Sequence, residues 1–564
     1  MAGTIGLAGA QQGGGRASHL LPWLLLALGW VATIQVRPLL DPDEGRYAEI
    51  PREMLVSGDW ITPRFDDLKY FEKPPLQYWG TAATYRLFGV SEWTSRLWTF
   101  SFGFACLPLT YFWTARLFGR VNALTALTAL ALSPYFLVIG HLNLLDAAFT
   151  FWLTAAVLSF TLAQTAPART TPERRWMLLA WAAAALAVLS KGIVVGVLAG
   201  TALVGYSLLM RDASPWRRLH AGAGVPLFAA IAAPWFVTVS LRNPSFPSFF
   251  FVHEHFTRFL TTVHQRVEPW WYFLPLLLVA VLPWVVPLTR ALAGEWREGS
   301  GAAMIARADA DVRSTAATTF RPLTFLAIYA TVALVFFSAS GSKLAPYILP
   351  MIPALAALTG ARTGAARLVA RQGARIGAGF VLLAAVGLLI YSARRNSFVP
   401  REAIGWAVAA TLLALTSAAV SVMRRAGELA TVLAAALGAI LAWQCLLCEY
   451  TVIPPARSAR DLVRAVRPFV NARTPLYSIG QYRETVSPYL GRTLQLVGYE
   501  GELHFGLTEE PQRRMSEAQF AARWSAASSG VAFFDPGVWD SWRRRGLPGR
   551  VIAADNYTVA VSRT

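Results

Sequence analysis

The chain has 564 residues, of which 55% are hydrophobic and only 15% are charged, and its mean hydropathy is +0.43. Soluble domains are less apolar than this, so composition excludes an ordinary soluble enzyme and indicates a protein with many membrane helices. The formal net charge of +19 does not indicate nucleic-acid binding. The arginines fall in short clusters between apolar stretches, as in the cytoplasmic loops of membrane proteins.

Residues 1–19, rich in glycine and glutamine, predict a disordered cytoplasmic tail. A transmembrane region follows over 20–450, in which apolar stretches of roughly 17 to 25 residues predict thirteen helices. The first is interpreted as a true span and not a signal peptide, because no small-residue cleavage site follows it. The predicted spans lie near 20–36, 95–116, 121–139, 145–164, 176–190, 192–210, 221–240, 270–293, 321–338, 344–361, 376–393, 404–422 and 428–447.

The segment 74–90 is a fourteenth apolar stretch, but it is short and carries Arg86. Counting it as a span would place arginine-rich loops such as 211–220 and 362–375 on the outer side, against the positive-inside rule. We therefore predict an amphipathic helix that lies along the membrane surface. One loop, 394–403, carries Arg394 and Arg395 and still falls outside in this topology.

This topology places two polar loops, 37–94 and 241–269, on the outer side of the membrane. All four lysines of the chain also lie outside or at an outer helix end, which is opposite to the usual bias of basic residues. Ionisable groups crowded against a bilayer are costly unless they serve a substrate. The outer loops are therefore the predicted active site.

Residues 451–564 change sharply in composition and predict a soluble α/β domain on the outer side. Strands are indicated by TPLYSIG, RTLQLVGY, GVAFFDP and RVIAADNYTVAVS, and amphipathic helices by SARDLVRAVRPFV and SEAQFAARWSAA. A structural scaffold is the favoured role for this domain, and a direct contact with substrate is the alternative.

Three groups in the outer loops suggest chemistry on a phosphate-linked sugar. Asp43 and Glu44 follow the first helix closely, where a carboxylate can act as a general base or stabilise a cationic sugar transition state. Lys73 is fixed by two following prolines, and Arg258 in the opposite loop can clamp a phosphate. The alternatives are a helix cap or solvated turn for the two acids, and a lipid-headgroup anchor for Lys73.

Two further groups are candidates for the same site. Asp146 is a lone acid at the outer start of a predicted span, where we expect a catalytic role and a pairing with an outer cation. Glu72, His253 and His255 offer carboxylate and imidazole ligands for a divalent metal such as zinc. Solvated or aromatic-stacked histidines are the alternative, because a loop of this kind does not fix where the rings point.

The stretch DPDEGRYAEIPREMLVSGDWITPR…YFEKPPLQYW, followed by FG…E…RL, closely resembles the first outer loop of bacterial aminoarabinose transferases that modify lipid A. LNLLDAAFT, LSKG and SGSKLAPYILPMIPALA are supporting matches, and the resemblance extends to about residue 450. This family belongs to the GT-C class of membrane glycosyltransferases, together with protein O-mannosyltransferases. The C-terminal domain shows the least resemblance and contributes no site residue.

The resemblance implies that Asp43 is the catalytic or donor-site carboxylate and that Lys73, Arg258 and Tyr347 hold the carrier phosphate. It also implies a metal near Glu72 and His253. Further substrate contacts are expected from residues in the matching motifs: Glu44, Arg46, Tyr70 and Lys343.

The implied function is transfer of aminoarabinose from undecaprenyl phosphate to a lipid A phosphate at the periplasmic face of the bacterial inner membrane, which confers resistance to polymyxin and cationic peptides. We expect the enzyme to be a monomer. We also expect it to invert the sugar configuration in a single displacement, since a phosphate acceptor is already ionised and needs no strong base. A protein O-mannosyltransferase, with Asp43 as a true general base, is one alternative. A lipid flippase is the other, but it would place charges deep within the spans.

Overall fold

In a computed structural model of the chain, the described residues are 16–257, 268–289, 320–396, 398–423, 425–454 and 457–563. The first eleven helices, α1 to α11, are Arg16–Val31, Asp43–Ser57, Leu76–Phe88, Glu92–Phe118, Arg120–Ala131, Pro134–Gly140, Leu145–Thr165, Thr171–Lys191, Val194–Met210, Ser214–Arg217 and Ala221–Arg242. A π-helix at Ser248–Thr257 follows. The next six helices, α12 to α17, are Phe273–Val281, Pro322–Ala339, Met351–Thr363, Ala366–Asn396, Arg401–Val422 and Glu428–Val452.

Among the described residues, six helices are long and apolar enough to cross a membrane: α7, α11, α13, α15, α16 and α17. Shorter apolar helices occur at Leu20–Val31, Val194–Met210 and Phe273–Thr289. Every predicted span overlaps a helix of the structure. The predicted class, a helical membrane protein with a C-terminal domain, is therefore confirmed, while the number of spans stays a prediction.

The prediction of one continuous span over 121–139 is wrong. Helices α5 and α6 are separate and bent by 67° at the break between them. Pro134 begins α6, and the Ser133 hydroxyl caps this helix by accepting a hydrogen bond from the amide of Phe136 at 3.4 Å. Proline cannot donate the backbone hydrogen bond that would continue the preceding helix, so the chain turns here.

The first outer loop, 37–94, is largely folded. It contains α2, a hairpin of strands β1 (Arg64–Phe65) and β2 (Leu68–Lys69), and then α3. The two turn residues of the hairpin, Asp66 and Asp67, have φ values of 56° and 60°, a conformation that is unfavourable for residues with a side chain. The carboxylate of Glu53 accepts their backbone amides at 2.7 and 2.8 Å, which holds the turn against α2.

The C-terminal domain is a five-stranded mixed sheet with short helices. Its strands are β3 (Leu476–Ile479), β4 (Gln495–Val497), β5 (Val531–Phe534), β6 (Arg550–Ala554) and β7 (Val559–Ser562), in the order β4-β3-β5-β7-β6. Strand β3 pairs in parallel with β4 and β5, whereas β7 is antiparallel to β5 and β6. All five lie within segments that the sequence predicted as strands. Helices α18 to α22 are Arg460–Val466, Val486–Leu490, His504–Glu509, Glu517–Ala526 and Pro536–Arg544.

This domain packs directly on the first outer loop through buried charges. The Asp41 carboxylate accepts hydrogen bonds from Arg483 Nε at 2.9 Å and from the Thr485 amide at 2.8 Å. Three more links, farther along the loop, are the Arg46–Glu502 ion pair, the Arg64–Glu510 pair at 3.2 Å and the Leu494 amide bond to Asp66 at 2.7 Å. Losing one partner of a buried ion pair strongly destabilises a protein, because the other charge stays buried without compensation. The loop and the domain therefore stabilise each other.

Candidate active site

Two stacked tyrosines mark the centre of the candidate site. Tyr47 on α2 and Tyr78 on α3 are buried, and their ring centroids lie 6.0 Å apart. Burial and the neighbouring ring raise the pKa of Tyr47 well above its usual range, and burial also raises that of Tyr78. Both hydroxyls therefore stay protonated and can only donate or accept hydrogen bonds. The charged groups that influence them are Asp43, Arg46 and Asp146 at Tyr47, and Arg46, Glu72 and Glu254 at Tyr78.

Asp43 is the accessible carboxylate of this group. It is the first residue of α2, and its side chain is 44% exposed. Its Oδ1 atom lies 3.3 Å from Arg46 Nη1, and Arg46 in turn pairs with Glu502 of the C-terminal domain. Neither Asp41 nor Asp43 caps the helix with its side chain. Asp43 is thus held by a buried arginine while one side of it remains open to a ligand.

A polar cavity of about 110 Å³ is lined in part by Glu72 and Glu254, two of the acids that influence Tyr78. Its walls include Glu72, Lys73, Lys191, Glu254 and Tyr347. Lys73 Nζ donates to the backbone carbonyl of Glu72 at 2.8 Å and lies 3.4 Å from Glu254 Oε2. The structure therefore brings together residues from four separate parts of the chain, with two ammonium groups facing one small space.

The side of the cavity formed by α7 and α8 carries an ion pair. Lys191, at the end of α8, donates to Asp146 at the start of α7, so the predicted pairing of Asp146 with an outer cation is confirmed. The Lys191 ammonium also lies over the Tyr347 ring, 4.5 Å from its centroid. This cation–π contact orients the tyrosine toward the cavity while Asp146 neutralises the lysine.

A second cavity, of about 660 Å³, is apolar. Residues that are neighbours in the chain line the two cavities, since Val194 lines the polar one while Ile193 and Val195 line the apolar one. Phe251 lines the apolar cavity four residues before His255 in the polar one. The lining of the apolar cavity also includes Trp216 and Leu219, which lie in the chain just before α11 begins. A charged group and a long apolar chain can therefore be bound side by side.

Comparisons with known proteins agree with this arrangement. Residues 462–563 match the family model for the aminoarabinose transferase C-terminal domain, and residues 23–250 match that for dolichyl-phosphate-mannose-protein mannosyltransferase. The crystal structure of ArnT from Cupriavidus metallidurans bound to undecaprenyl phosphate is 33% identical, with a TM-score of 0.83, over 98% of this chain and 99% of that one. This chain belongs to the aminoarabinose transferase family.

Curated relatives in the aminoarabinose transferase family carry the name undecaprenyl phosphate-alpha-4-amino-4-deoxy-L-arabinose arabinosyl transferase. The one from Erwinia tasmaniensis is 33% identical over 381 residues, which is 66% of this chain and 64% of that protein. One from Sodalis glossinidius is 36% identical over 386 residues, or 65% of this chain and 64% of the relative. These alignments thus span less than two thirds of the relatives' length.

The match over 462–563 corrects one expectation, since the C-terminal domain is a recognisable aminoarabinose transferase domain and not the least family-like part of the chain. The structure adds that this domain supplies Glu502, the partner of Arg46. The sequence offered no signal for this contact, because Arg46 and Glu502 are 456 positions apart.

Glu44 does not reach the site in this family member, and the expectation that it binds substrate is corrected. Its carboxylate is buried and accepts hydrogen bonds from Arg96 at 2.8 and 2.9 Å and from the amides of Asn143 and Leu40 at 2.9 and 3.0 Å. Burial acts to raise the pKa of Glu44, but the Arg96 guanidinium outweighs it and keeps the pKa below its usual value. Glu44 ties α2 to α4 as a permanent anion.

Three other predicted contacts lie at the edge of the site. Lys343 is buried and donates to the backbone carbonyls of Glu268 at 3.0 Å and Ser340 at 2.6 Å. Arg46 carries its charge between two acids, and its guanidinium lies 5.9 Å from the Tyr70 ring centroid. Tyr70 itself is buried against Phe65, with ring centroids 5.5 Å apart. These residues shape the site around Asp43.

Three predictions are left open by the structure. Arg258 lies outside the described residues, as do residues 1–15 of the predicted tail. Within the described ranges, no three His, Cys, Asp or Glu side chains are grouped to hold a metal ion. The His253 ring stacks on Phe249 at 5.2 Å, and its Nδ1 lies 3.7 Å from Glu254 Oε1. Because structural zinc sites use four protein ligands and catalytic sites three, a metal at Glu72 and His253 stays a prediction.

Proposed function

We propose that this enzyme transfers 4-amino-4-deoxy-arabinose from undecaprenyl phosphate to a phosphate of lipid A. The observation that carries the proposal is the polar cavity with Lys73, Lys191 and Tyr347 in its walls, together with an apolar cavity between membrane helices that is lined by sequence neighbours of Val194. Such a pair of cavities fits a ligand with a phosphate and a polyprenyl chain. The structure of a family member bound to undecaprenyl phosphate supports the same donor class.

We propose that the donor phosphate is held by Lys73, Tyr347 and Arg258. Ammonium and guanidinium groups bind phosphate oxygens through charge-assisted hydrogen bonds, which are about twice as strong as neutral ones. They also neutralise the negative charge that develops on the phosphate as it leaves the sugar. Lys191 is neutralised by Asp146, and its cation–π contact positions Tyr347.

Asp43 is proposed to act at the sugar. Its carboxylate lies at the edge of the tyrosine pair, where it can stabilise the positive charge of an oxocarbenium-like transition state. The acceptor phosphate is already ionised, so it can attack the anomeric carbon directly while the carrier phosphate leaves from the opposite face. One displacement of this kind inverts the configuration at that carbon. Asp146, neutralised by Lys191, supports the cavity wall.

The proposed topology has thirteen membrane helices and an active site on the periplasmic face of the inner membrane. It rests on the positive-inside rule, which assigns most of the arginine-bearing loops to the cytoplasm and therefore Asp43 and the C-terminal domain to the other side. Cysteines introduced at Ser57 and Arg492 are expected to react with a membrane-impermeant thiol reagent in intact spheroplasts, whereas one at Arg174 should not. Labelling at Arg174 alone would reverse the orientation.

The match of residues 23–250 to a protein mannosyltransferase model keeps one alternative acceptor in view, a protein hydroxyl. A hydroxyl must lose its proton during attack, so Asp43 would then have to act as a general base. The phosphate acceptor is favoured because an ionised phosphate needs no base, and Asp43, which lies 3.3 Å from Arg46, then has only to stabilise positive charge on the sugar.

Mass spectrometry of lipid A tests the proposal directly. Cells that express the enzyme should contain lipid A with the added mass of aminoarabinose and should resist polymyxin. Cells without the gene, and cells that express Asp43→Asn at equal membrane levels, should lack both. An unchanged lipid A, with glycosylated protein in its place, would favour the mannosyltransferase alternative.

A further inference from the structure

Loop 394–403, between α15 and α16, carries three arginines that the positive-inside rule does not explain. Arg394 and Arg395 lie in the last turn of α15, and Arg401 is the first residue of α16. All three side chains are exposed, and within the described ranges no other side chain pairs with their guanidinium groups. These groups are therefore available to a ligand from outside the chain.

The structure places this loop on the same side of the membrane as the C-terminal domain. Asn396 Nδ2 donates to the carbonyl of Pro454 at 2.6 Å, just after α17 ends and before that domain begins. Glu402 lines a cavity together with Pro38 of the first outer loop and Asn556 of the domain. The three arginines thus lie at the membrane surface that also carries the candidate active site.

The length of α15 places Arg394 at the level of the lipid headgroups. Between Arg375 and Arg394 the helix has only uncharged residues, 376–393, which span about 27 Å at a rise of about 1.5 Å per residue. The hydrocarbon core of a bilayer is about 30 Å thick. An arginine at one end of such a segment therefore reaches the phosphate groups of the leaflet on that side.

Much of the surface of α15 and α16 is not covered by protein, because only 22% and 28% of their apolar windows are buried. On α15, Val386, Ile390 and Arg394 follow each other at intervals of four residues, so they lie above one another on one face. Both apolar members of this row are exposed. On α16, the exposed Ile404 lies one turn after Arg401. A lipid whose chains lie along such a row has its phosphate beside the arginine.

We propose that Arg394, Arg395 and Arg401 bind the phosphate of an anionic phospholipid in the leaflet on the active-site side. Guanidinium groups bind phosphate oxygens through charge-assisted hydrogen bonds, and they do so with two parallel donors where the geometry allows. Tyr391, exposed one turn before Arg395, adds an aromatic ring of the kind that lies at the membrane–water interface.

The expected selectivity follows from the charge of the loop. Each arginine near an anionic membrane surface favours binding about fivefold. Glu402, exposed beside Arg401, repels the same phosphate and offsets one of the three arginines. Two net charges predict a preference of about 30-fold for an anionic lipid over a zwitterionic lipid with the same acyl chains.

The test identifies the lipid beside the loop. In purified full-length enzyme, a benzophenone photocrosslinker replaces the side chain of the exposed Phe398. The protein is placed in nanodiscs that contain phosphatidylglycerol and phosphatidylcholine in equal amounts, with the same acyl chains. Irradiation links the crosslinker to its neighbour, and mass spectrometry of the labelled peptide gives the ratio of the two lipid adducts.

Two sets of substitutions are compared in this crosslinking protein. One combines Arg394→Gln, Arg395→Gln and Arg401→Gln. The matched control combines three substitutions of exposed arginines in the C-terminal domain, which remove the same charge away from the loop: Arg473→Gln, Arg523→Gln and Arg543→Gln. Thermal unfolding in detergent checks that each variant is folded.

Phosphatidylglycerol adducts should exceed phosphatidylcholine adducts about 30-fold before any arginine is changed and in the control. The triple substitution in the loop should reduce the ratio to about threefold or less. A ratio near one before any arginine is changed would overturn the inference. So would a ratio that survives the loop substitutions, an equal fall in the control, or a crosslink to a second copy of the chain in place of lipid. If the triple variant does not fold, Arg401→Gln alone decides, with an expected ratio about fivefold lower. The measurement involves no sugar transfer, so its failure would leave the proposed function unaffected.

Discussion

Gly45 of α2 lies directly against the backbone of the C-terminal domain. A Cβ atom built on it lies 2.6 Å from the carbonyl carbon of Glu484 and 2.7 Å from the amide nitrogen of Thr485. Non-bonded carbon atoms are most stable about 3.5–4.0 Å apart. In Gly45→Ala the helix and the domain would therefore have to separate by roughly 1 Å.

Two opposing effects decide the outcome of Gly45→Ala. Alanine is about 1 kcal/mol more favourable than glycine within a helix, whereas overpacking a close contact costs about 1–3 kcal/mol. The obstructing atoms belong to the backbone and cannot rotate away, and a separation also stretches the neighbouring Asp41–Arg483 ion pair. We expect overpacking to win, with a net loss of stability of up to about 2 kcal/mol.

The assay is thermal unfolding in detergent together with limited proteolysis of the C-terminal domain. Gly45→Ala should unfold at a lower temperature than wild type and release the domain faster. Gly405→Ala in α16 is the matched control, because a Cβ atom there meets nothing within 4 Å and the substitution should be neutral or slightly stabilising. The reasoning is refuted if the two alanine variants unfold together and resist protease equally.

Three further predictions concern charge. Asp43→Asn keeps the shape of the side chain, so turnover should fall by roughly two to four orders of magnitude with the thermal midpoint unchanged; near-normal turnover would make Asp43 a structural residue. Lys73→Ala should weaken use of the donor by about 1.5–3 kcal/mol in a donor titration. Lys69 pairs with Glu509, and Lys69→Ala, the control, should weaken use of the donor little. Equal effects of the two substitutions would mean that both lysines only anchor the surface. Burial and the nearby Asp41 carboxylate raise the pKa of Glu484 from 4.5 to about 8. The folded protein therefore holds this proton more tightly than the unfolded chain, and its stability should fall as the pH rises through this range. Between about pH 5 and about pH 9, the thermal midpoint of Glu484→Gln should fall less than that of wild type. An identical fall in the two proteins would contradict this pKa.

Local sequence was sufficient where an element is determined by its own residues. The apolar stretches predicted where the helices lie, because length and composition alone make a segment suitable for a bilayer. The alternating segments of the C-terminal region predicted the strands for a similar reason. Lys73 and Glu72 lie together in the cavity because they are adjacent in the chain.

The remaining features depend on partners that are distant in sequence. Helix α2 reads as a charged loop, and only the structure shows that Glu44 meets Arg96 and that Arg46 meets Glu502. Glu254 stood beside two histidines in the sequence and attracted no prediction, since its burial against Lys73 depends on how two outer loops pack. Such contacts leave no periodic pattern in either segment.

The ion pairs between the first outer loop and the C-terminal domain have a consequence for biosynthesis. Ribosomes make the chain from its N-terminus, so Asp41 and Arg46 emerge more than 400 residues before Arg483 and Glu502. Until then, both loop residues must remain hydrated, because burying them without partners is costly. A chain that stops after its last membrane helix would contain Asp43, Lys73 and Tyr347, yet the helix that carries Asp43 would lack the contacts that fix it. The enzyme is therefore expected to become competent only when synthesis is complete, so that unfinished chains in the membrane remain inactive.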